Sequence, residues 1–464
     1  MVRSLEQITM RKVYLRILPF AALTYFFCYL DRINVGFAAL TMNKDLGLDP
    51  AIYGMAAGAF FWGYVLFEVP SNIILEKIGA RIWIARIMVT WGIISGATAF
   101  ARELAPFLAP LMTVPLVALG IISQESASAN AAPYSFMVIR FLLGLAEAGL
   151  FPGFVLYFTY WFPDRYRARI NSGFTLALPI AVATGAPIST ALLGLDGLWG
   201  LKGWQCMYVL EAIPTVLIGV AVFFYLTDKV NDAGWLNAEE RRWLGDRIAA
   251  ERRQIETADR VSILRSFCDP KVLWLSLNYV GIVTASLGML LFLPTIVKEL
   301  GVSNMQVGWV TMIPYTCGAI AMVFCGWLSD RIGERRWTLF WTCTLSALGL
   351  ILAGITIGTW WSVVGMSIAA AGFYGTKGPF WSMPTMFLTG TAAASGIAWI
   401  NSLGNLGGFF GPSMVGWARE LSGSYAGGLY ALAACAVASS LISLFVLRIP
   451  SAVAAGDEYP LPAE

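Results

Sequence analysis

NIILEKIGAR at 72–81 and GWLSDRIGER at 326–335 align without a gap. Glu76 meets Asp330, Lys77 meets Arg331, Gly79 meets Gly333 and Arg81 meets Arg335, each pair 254 residues apart. A charged motif that returns at such a distance marks a chain built from two copies of one unit. The residues around each copy are strongly apolar, so each motif is a short polar turn between long greasy segments.

Working outward, the 464 residues are 58% hydrophobic and 13% charged, with a mean hydropathy of +0.69, far from an ordinary soluble domain. Apolar stretches recur at about 17–40, 52–75, 82–100, 134–160, 172–193, 205–226, 271–297, 305–328, 337–357, 361–388, 392–417 and 426–447. Their lengths suit helices crossing a hydrocarbon core about 30 Å thick rather than alternating barrel strands. The expected fold is an all-α membrane protein of twelve transmembrane helices in two pseudo-symmetric six-helix bundles. Residues 1–226 form the first bundle, 227–270 a cytoplasmic linker, 271–450 the second bundle and 451–464 a cytoplasmic tail. The polar opening MVRSLEQITMRK and the long first apolar stretch do not read as a cleavable signal.

Charge placement sets the orientation. With the N terminus inside, 23 of the 31 Lys and Arg fall in cytoplasmic segments and five in outer loops, so both termini are expected in the cytoplasm. The seven Cys are scattered without metal spacing and read as small packing residues. A second marker, GAP at 185–187 against FGP at 410–412, is spaced by 225, so some 29 residues are extra in the first half. They lie at about 102–133, where Pro106, Pro110 and Pro115 are expected to break an apolar run into an outer or interfacial excursion. The linker places Trp235, Leu236, Trp243 and Leu244 at helical spacing, which predicts a short amphipathic cytoplasmic helix, with a solvated tether of no regulatory role as the alternative.

The paired six-helix halves and the repeated loop resemble the major facilitator superfamily. GWLSDRIGERR at 326–336 is close to its signature loop, while the first copy departs from it at Asn72 and Glu76. The chain is more closely similar to the anion:cation symporter family, of the tartrate, phthalate, galactonate and hexuronate permease type. The residues that carry this are YFFCYLDRINVGFAAL (25–40), GYVLFEVPSNIILEKIGAR (63–81), RFLLGLAEAGLFPG (140–153), YWFPDRYRAR (160–169), GPFWSMPTMFLTG (378–390) and INSLGNLGGFFGPSMVGW (400–417).

Three basic residues remain inside spans: Arg32, Arg140 and Lys377. A charge at the bilayer centre costs roughly 2.5 to 3.5 kcal/mol on insertion scales, so each needs a partner or a purpose. Asp31 and Arg32 are neighbours that point about 100° apart on a helix and cannot neutralise each other. Arg140, Gly144 and Glu147 share one helix face, and Glu147 reaches a depth of about 20 Å, level with Asp31 and Arg32 in a helix running the other way. An acid–base cluster near the midplane follows, where transporters of this architecture bind substrate. The resemblance implies that Arg32 binds a carboxylate and that Asp31 and Glu147 carry protons. An ion pair of Asp31 with Arg140 is the structural alternative.

The sequence holds no His, so a coupling proton must ride on a carboxyl group. Glu147 is expected to load a proton when substrate occupies Arg32, and to release it otherwise. Lys377 reaches similar depth from the second half and suits a dianion or ring acid; carbonyl contact or snorkelling is its alternative. Tyr64, Tyr374, Trp381, Asn401 and Asn405 complete the expected substrate contacts, with helix packing as the competing reading for each. Glu68 reads as a gating or packing residue and Glu211 as a structural one. For Glu76, Lys77, Arg81, Asp330, Arg331 and Arg335 the resemblance implies gating, as latches of the outward-facing state.

The expectation is a proton-coupled symporter for an organic carboxylate, working by alternating access in the inner membrane. It needs no metal or cofactor beyond the coupling proton and no nucleic acid, and its partners are the anion, the proton and the bilayer. A monomer is expected to suffice. An anion exchanger, a proton-driven exporter and a non-transporting sensor are the alternatives. An enzyme is disfavoured, since the chain has no His, HExxH, GxSxG or dinucleotide fingerprint.

Overall fold

The computed structural model describes residues 4–255, 269–333, 335–386 and 390–446. The expected tail and linker residues 256–268 lie outside them. Ten helical segments are long and apolar enough to cross a membrane: Leu5–Leu46, Pro50–Ile78, Ala80–Phe100, Ala131–Trp161, Asp164–Leu193, Gly203–Tyr225, Pro270–Lys298, Asn304–Ile332, Arg335–Ile355 and Ala426–Phe445. The tenth and eleventh expected spans are each split, into Trp360–Gly375 with Lys377–Ser382 and Gly390–Asn405 with Gly407–Ser422. Pro379 has no amide hydrogen to continue the tenth helix, and Gly407 and Gly408 weaken the eleventh where it meets Pro270–Lys298 and the Phe61 ring respectively. The first helix begins well before the apolar stretch, because Ser4 and Gln7 form a reciprocal cap ahead of it.

The fourth span also breaks, immediately after Glu147. Gly149 takes φ +91°, and the Ala148 carbonyl, freed from the helix, accepts a 2.7 Å hydrogen bond from Ser71 Oγ. A break at this depth is tolerated because the neighbouring span satisfies the exposed carbonyl. The single helix expected here is therefore two, and Glu147 ends the first of them.

The outer excursion corrects another expectation. Ala105–Ala118 is helical through Pro110 and Pro115, with Pro106 in the first turn, where no amide donor is needed. At 14 residues, about 21 Å, it is too short to cross the bilayer. It packs on Ala131–Glu147 through Ala105, Ala109 and Thr113, leaving Phe107, Leu111 and Val114 exposed.

The linker is docked rather than a solvated tether. Its helix, Ala238–Ile255, buries Leu244 while Leu236 is buried just ahead of it. Trp235 stacks on Trp161 at 5.2 Å between centroids, Lys12 pairs with Glu240 at 2.6 Å, and Arg167 pairs with Glu251 at 3.2 Å. All of these partners belong to the first half.

Three apolar cores organise the whole. The largest, which includes Phe37, Tyr53, Phe136, Tyr208, Phe292, Tyr315 and Val415, draws on both halves and lies toward the face away from the termini, the expected outer side. The other two lie toward the face of the termini, the expected cytoplasmic side. One belongs to the first half and the docked linker; the other contains only second-half residues.

Candidate functional site

Between the halves, at mid-depth, lies a cavity of about 110 Å³. The first half contributes Tyr29, Arg32, Phe60 and Arg140; the second contributes Tyr279, Tyr315, Tyr374, Lys377 and Asn405 among others. The wall thus carries three cations and no carboxylate. In a low-dielectric site, that imbalance favours an anion.

The Arg32 Nε donates to Glu147 Oε1 at 2.5 Å, and Cys28 Sγ donates to the same oxygen at 3.2 Å. Glu147 is 1% exposed and sits at the C-terminal end of its half-helix, where free carbonyls favour a nearby cation. The Arg32 guanidinium also lies over the rings of Tyr29, Phe60 and Tyr64 at 5.1 to 5.5 Å. These contacts hold it facing the cavity while Glu147 engages only one of its nitrogens.

Asp31 makes no ion pair with Arg140 within 4 Å. Its carboxylate instead accepts from Asn34 Nδ2, Ser95 Oγ and Thr215 Oγ1, each at 3.2 Å. Arg140 is 2% exposed, lies over Phe60 at 5.2 Å, and has Nε and Nη1 buried without a hydrogen-bond partner. Unmet donors of this kind are costly, and at the cavity wall they are available to an acceptor.

Four of the seven expected substrate contacts, Arg32, Lys377, Tyr374 and Asn405, line the cavity. The other three stand elsewhere. Tyr64 is buried behind Arg32, Trp381 packs in an aromatic cluster with Tyr279 and Phe380, and Asn401 Nδ2 donates to Glu68 Oε1 at 2.8 Å. Ser402 Oγ donates to the other Glu68 oxygen at 3.0 Å, so Glu68 is clasped across the two halves. Lys377 Nζ lies 5.4 Å from the Tyr279 ring centre, and no carboxylate among the described residues pairs with it. Sequence reasoning did not find Cys28, Asn34, Ser95 and Thr215, because short polar side chains in apolar helices look like ordinary packing.

The duplicated motif makes its contacts within each half. Arg81 N donates to Asp228 Oδ1 at 2.8 Å, Arg335 pairs with Asp330, and Arg331 lies over Trp327 at 5.3 Å. Glu76 and Lys77 make no ion pair among the described residues. On the face that carries the termini the charged loops therefore do not join the halves, which meet there through Glu68, Asn401 and Ser402; on the opposite face, the expected outer side, the halves are in close contact. A Cβ at Gly416 would overlap the Pro50 carbonyl, one at Gly54 the Pro412 carbonyl, and Tyr53 Oη donates to Leu291 O at 3.1 Å.

Two helical bundles around a central cation-lined cavity define the architecture of a membrane transporter. The family model described as Major Facilitator Superfamily matches residues 21–412, and the chain belongs to that superfamily. It is a multi-pass membrane transporter and not an enzyme. Over 445 residues, covering 96% of each chain, it is 45% identical to a "Putative tartrate transporter" of Agrobacterium vitis. It is 36% identical to a "Quinolone resistance transporter" of Acinetobacter baumannii, covering 95% of this chain and 94% of that one. Among solved structures, a bacterial homologue of the human lysosomal transporter Spinster superposes with a TM-score of 0.70 at 16% identity, covering 94% of this chain and 97% of the other. That last likeness concerns the fold alone.

Proposed function

We propose that this protein is a proton-coupled symporter that takes up an organic carboxylate anion (a dicarboxylate, sugar acid or aromatic acid) by rocker-switch alternating access. The observation that carries the reading is the cavity wall, which presents Arg32, Arg140 and Lys377 and no acid. A carboxylate on Arg32 competes with Glu147 for the guanidinium, and Glu147 without its partner takes up a proton. Release of the anion returns Arg32 to Glu147 and expels the proton. Lys377, on the second half, draws the same anion across the cavity and so favours closure of the cytoplasmic side. The tartrate named for the Agrobacterium vitis relative fits this chemistry. The setting is the inner membrane with both termini cytoplasmic, and a monomer suffices.

Uptake of tartrate into proteoliposomes under an imposed inward proton gradient tests this. Accumulation that collapses with the gradient is expected, and Arg32→Ala should lower it roughly 100-fold, since a charge-assisted pair to a carboxylate is lost and Glu147 is left buried alone. Counterflow without gradient-driven accumulation, for tartrate and for a panel of aldonates, hexuronates and aromatic acids, would instead indicate an exchanger. Efflux driven by an inward proton gradient would indicate an exporter.

A further inference from the structure

Spans one, four and six hold two arginines and three carboxyl groups near mid-depth: Arg32, Arg140, Asp31, Glu147 and Glu211. Arginine stays charged in proteins, so with every carboxyl ionised the group carries one surplus negative charge. The geometry shows where that surplus lies. Glu147 is neutralised by direct contact with Arg32. Asp31 and Glu211 are both 2% exposed, and neither makes an ion pair among the described residues. Instead one amide joins them: Asn34 Nδ2 donates to Asp31 Oδ1 at 3.2 Å and to Glu211 Oε2 at 2.9 Å. The other Glu211 oxygen accepts from Ser189 Oγ at 2.7 Å. Asp31 has Ser95 and Thr215 as further donors, but all the donors to the two carboxylates are neutral, and two buried carboxylates bridged by one amide with no cation between them repel each other and titrate as one unit.

We propose that Asp31 and Glu211, bridged by Asn34, form one proton-holding site distinct from the Arg32–Glu147 pair. This deepens the symport reading and rests on it. The Arg140 and Glu147 charges of the fourth span, the Tyr208 hydroxyl of the sixth and the Cys28 thiol of the first lie within electrostatic reach. Arg140 is the charge that links occupancy to the pair, because it lines the cavity and its field reaches Asp31 although the two make no ion pair. An anion drawing Arg140 into the cavity and neutralising it removes positive potential from the pair, which then retains its proton. With the anion gone, the Arg140 charge again bears on the pair and the proton leaves. Glu211 lies about 12 Å in from the outer end of its helix, so the proton enters from the outer side. Glu68 is not a member, since its donors are Asn401 and Ser402 of the second half.

The test is calorimetric titration of the detergent-purified protein with tartrate in buffers of different ionisation enthalpy, which counts protons taken up per anion bound, paired with proteoliposome transport. Wild type is expected to take up protons on binding. Glu211→Gln should abolish the part of that uptake assigned to the pair and lower the ratio of gradient-driven accumulation to counterflow by roughly tenfold or more. Glu211→Asp should restore both in part. An unchanged proton count and ratio in a Glu211→Gln protein that still binds tartrate would overturn the proposal. If that variant does not fold, Ser189→Ala, which removes a donor from Glu211 alone, must displace the pH profile of uptake; an unmoved profile refutes the shared site. Wild-type uptake that ignores the pH gradient would refute the symport reading itself, which keeps the two failures apart.

Discussion

The outer and cytoplasmic sides of the molecule are built from the same twelve-span plan, yet they are packed in opposite ways. On the outer side, one apolar core runs through both halves, and small residues such as Gly54 and Gly416 bring backbones from opposite halves into contact. On the cytoplasmic side, each half has its own core, and the first is completed by the docked linker helix. Polar groups cross there instead, with Glu68 held by Asn401 and Ser402. The contrast teaches that the two contacts between the halves are chemically unlike. The outer one is a seam of steric fit, and the inner one a hydrogen-bonded clasp.

Breaking the seam should have the largest effect. Gly416→Val places a branched side chain against the Pro50 backbone, and over-packing of this kind costs roughly 1 to 3 kcal/mol, a shift of about 5- to 150-fold in a two-state population. Labelling of a cysteine placed in the cavity, with a thiol reagent applied from outside, should rise accordingly; unchanged labelling would mean that the seam is not the outer gate. Loosening the clasp should do less. Glu68→Gln keeps the shape but weakens two charge-assisted bonds, so labelling from the cytoplasmic side should rise roughly 3- to 10-fold, and a fall would reverse its assignment as a closing contact.

The smallest effect concerns the linker. Burial works against the Glu240 charge, but the Lys12 ammonium and the Asn237 backbone amide bind its carboxylate, and together they hold the group below its usual range. Docking stability from this pair is therefore present above the ordinary carboxylate range and is lost as pH falls through the lowered value. Because Lys12 is half exposed, Lys12→Ala near neutral pH should speed limited proteolysis of the linker by only a few-fold. If acidification left wild-type cleavage rates unchanged, Glu240 would not be what ties the linker down.

Much of this was legible in particular residues. The 254-residue repeat of the charged loop announced two halves, and the apolar stretches announced their spans, because the bilayer imposes a length and polarity on every crossing. Arg32, Arg140 and Lys377 stood out because a charge is too costly in a span to be idle. Less legible was anything that depends on side-chain direction. Asp31 and Arg140 fit a pairing by depth, but the rotation of their helices sends Asp31 toward Asn34, Ser95 and Thr215. Trp381 and Asn401 had the right chemistry for the cavity and face away from it. Ala105–Ala118 remained helical despite its prolines, since packing on the fourth span stabilises a helix that propensity alone disfavours.

The sequence by itself determined that the chain crosses the membrane in two related halves and that it carries basic groups at mid-depth, because both follow from composition, periodicity and solvation cost. Only the tertiary structure decided which of those charges are partnered. It joined Arg32 to Glu147, left Arg140 and Lys377 facing an acid-free cavity, and brought Glu211 beside Asp31 through a single amide. Partnership is a matter of a few ångströms and of which way a helix face turns, and those are fixed by packing among distant parts of the chain.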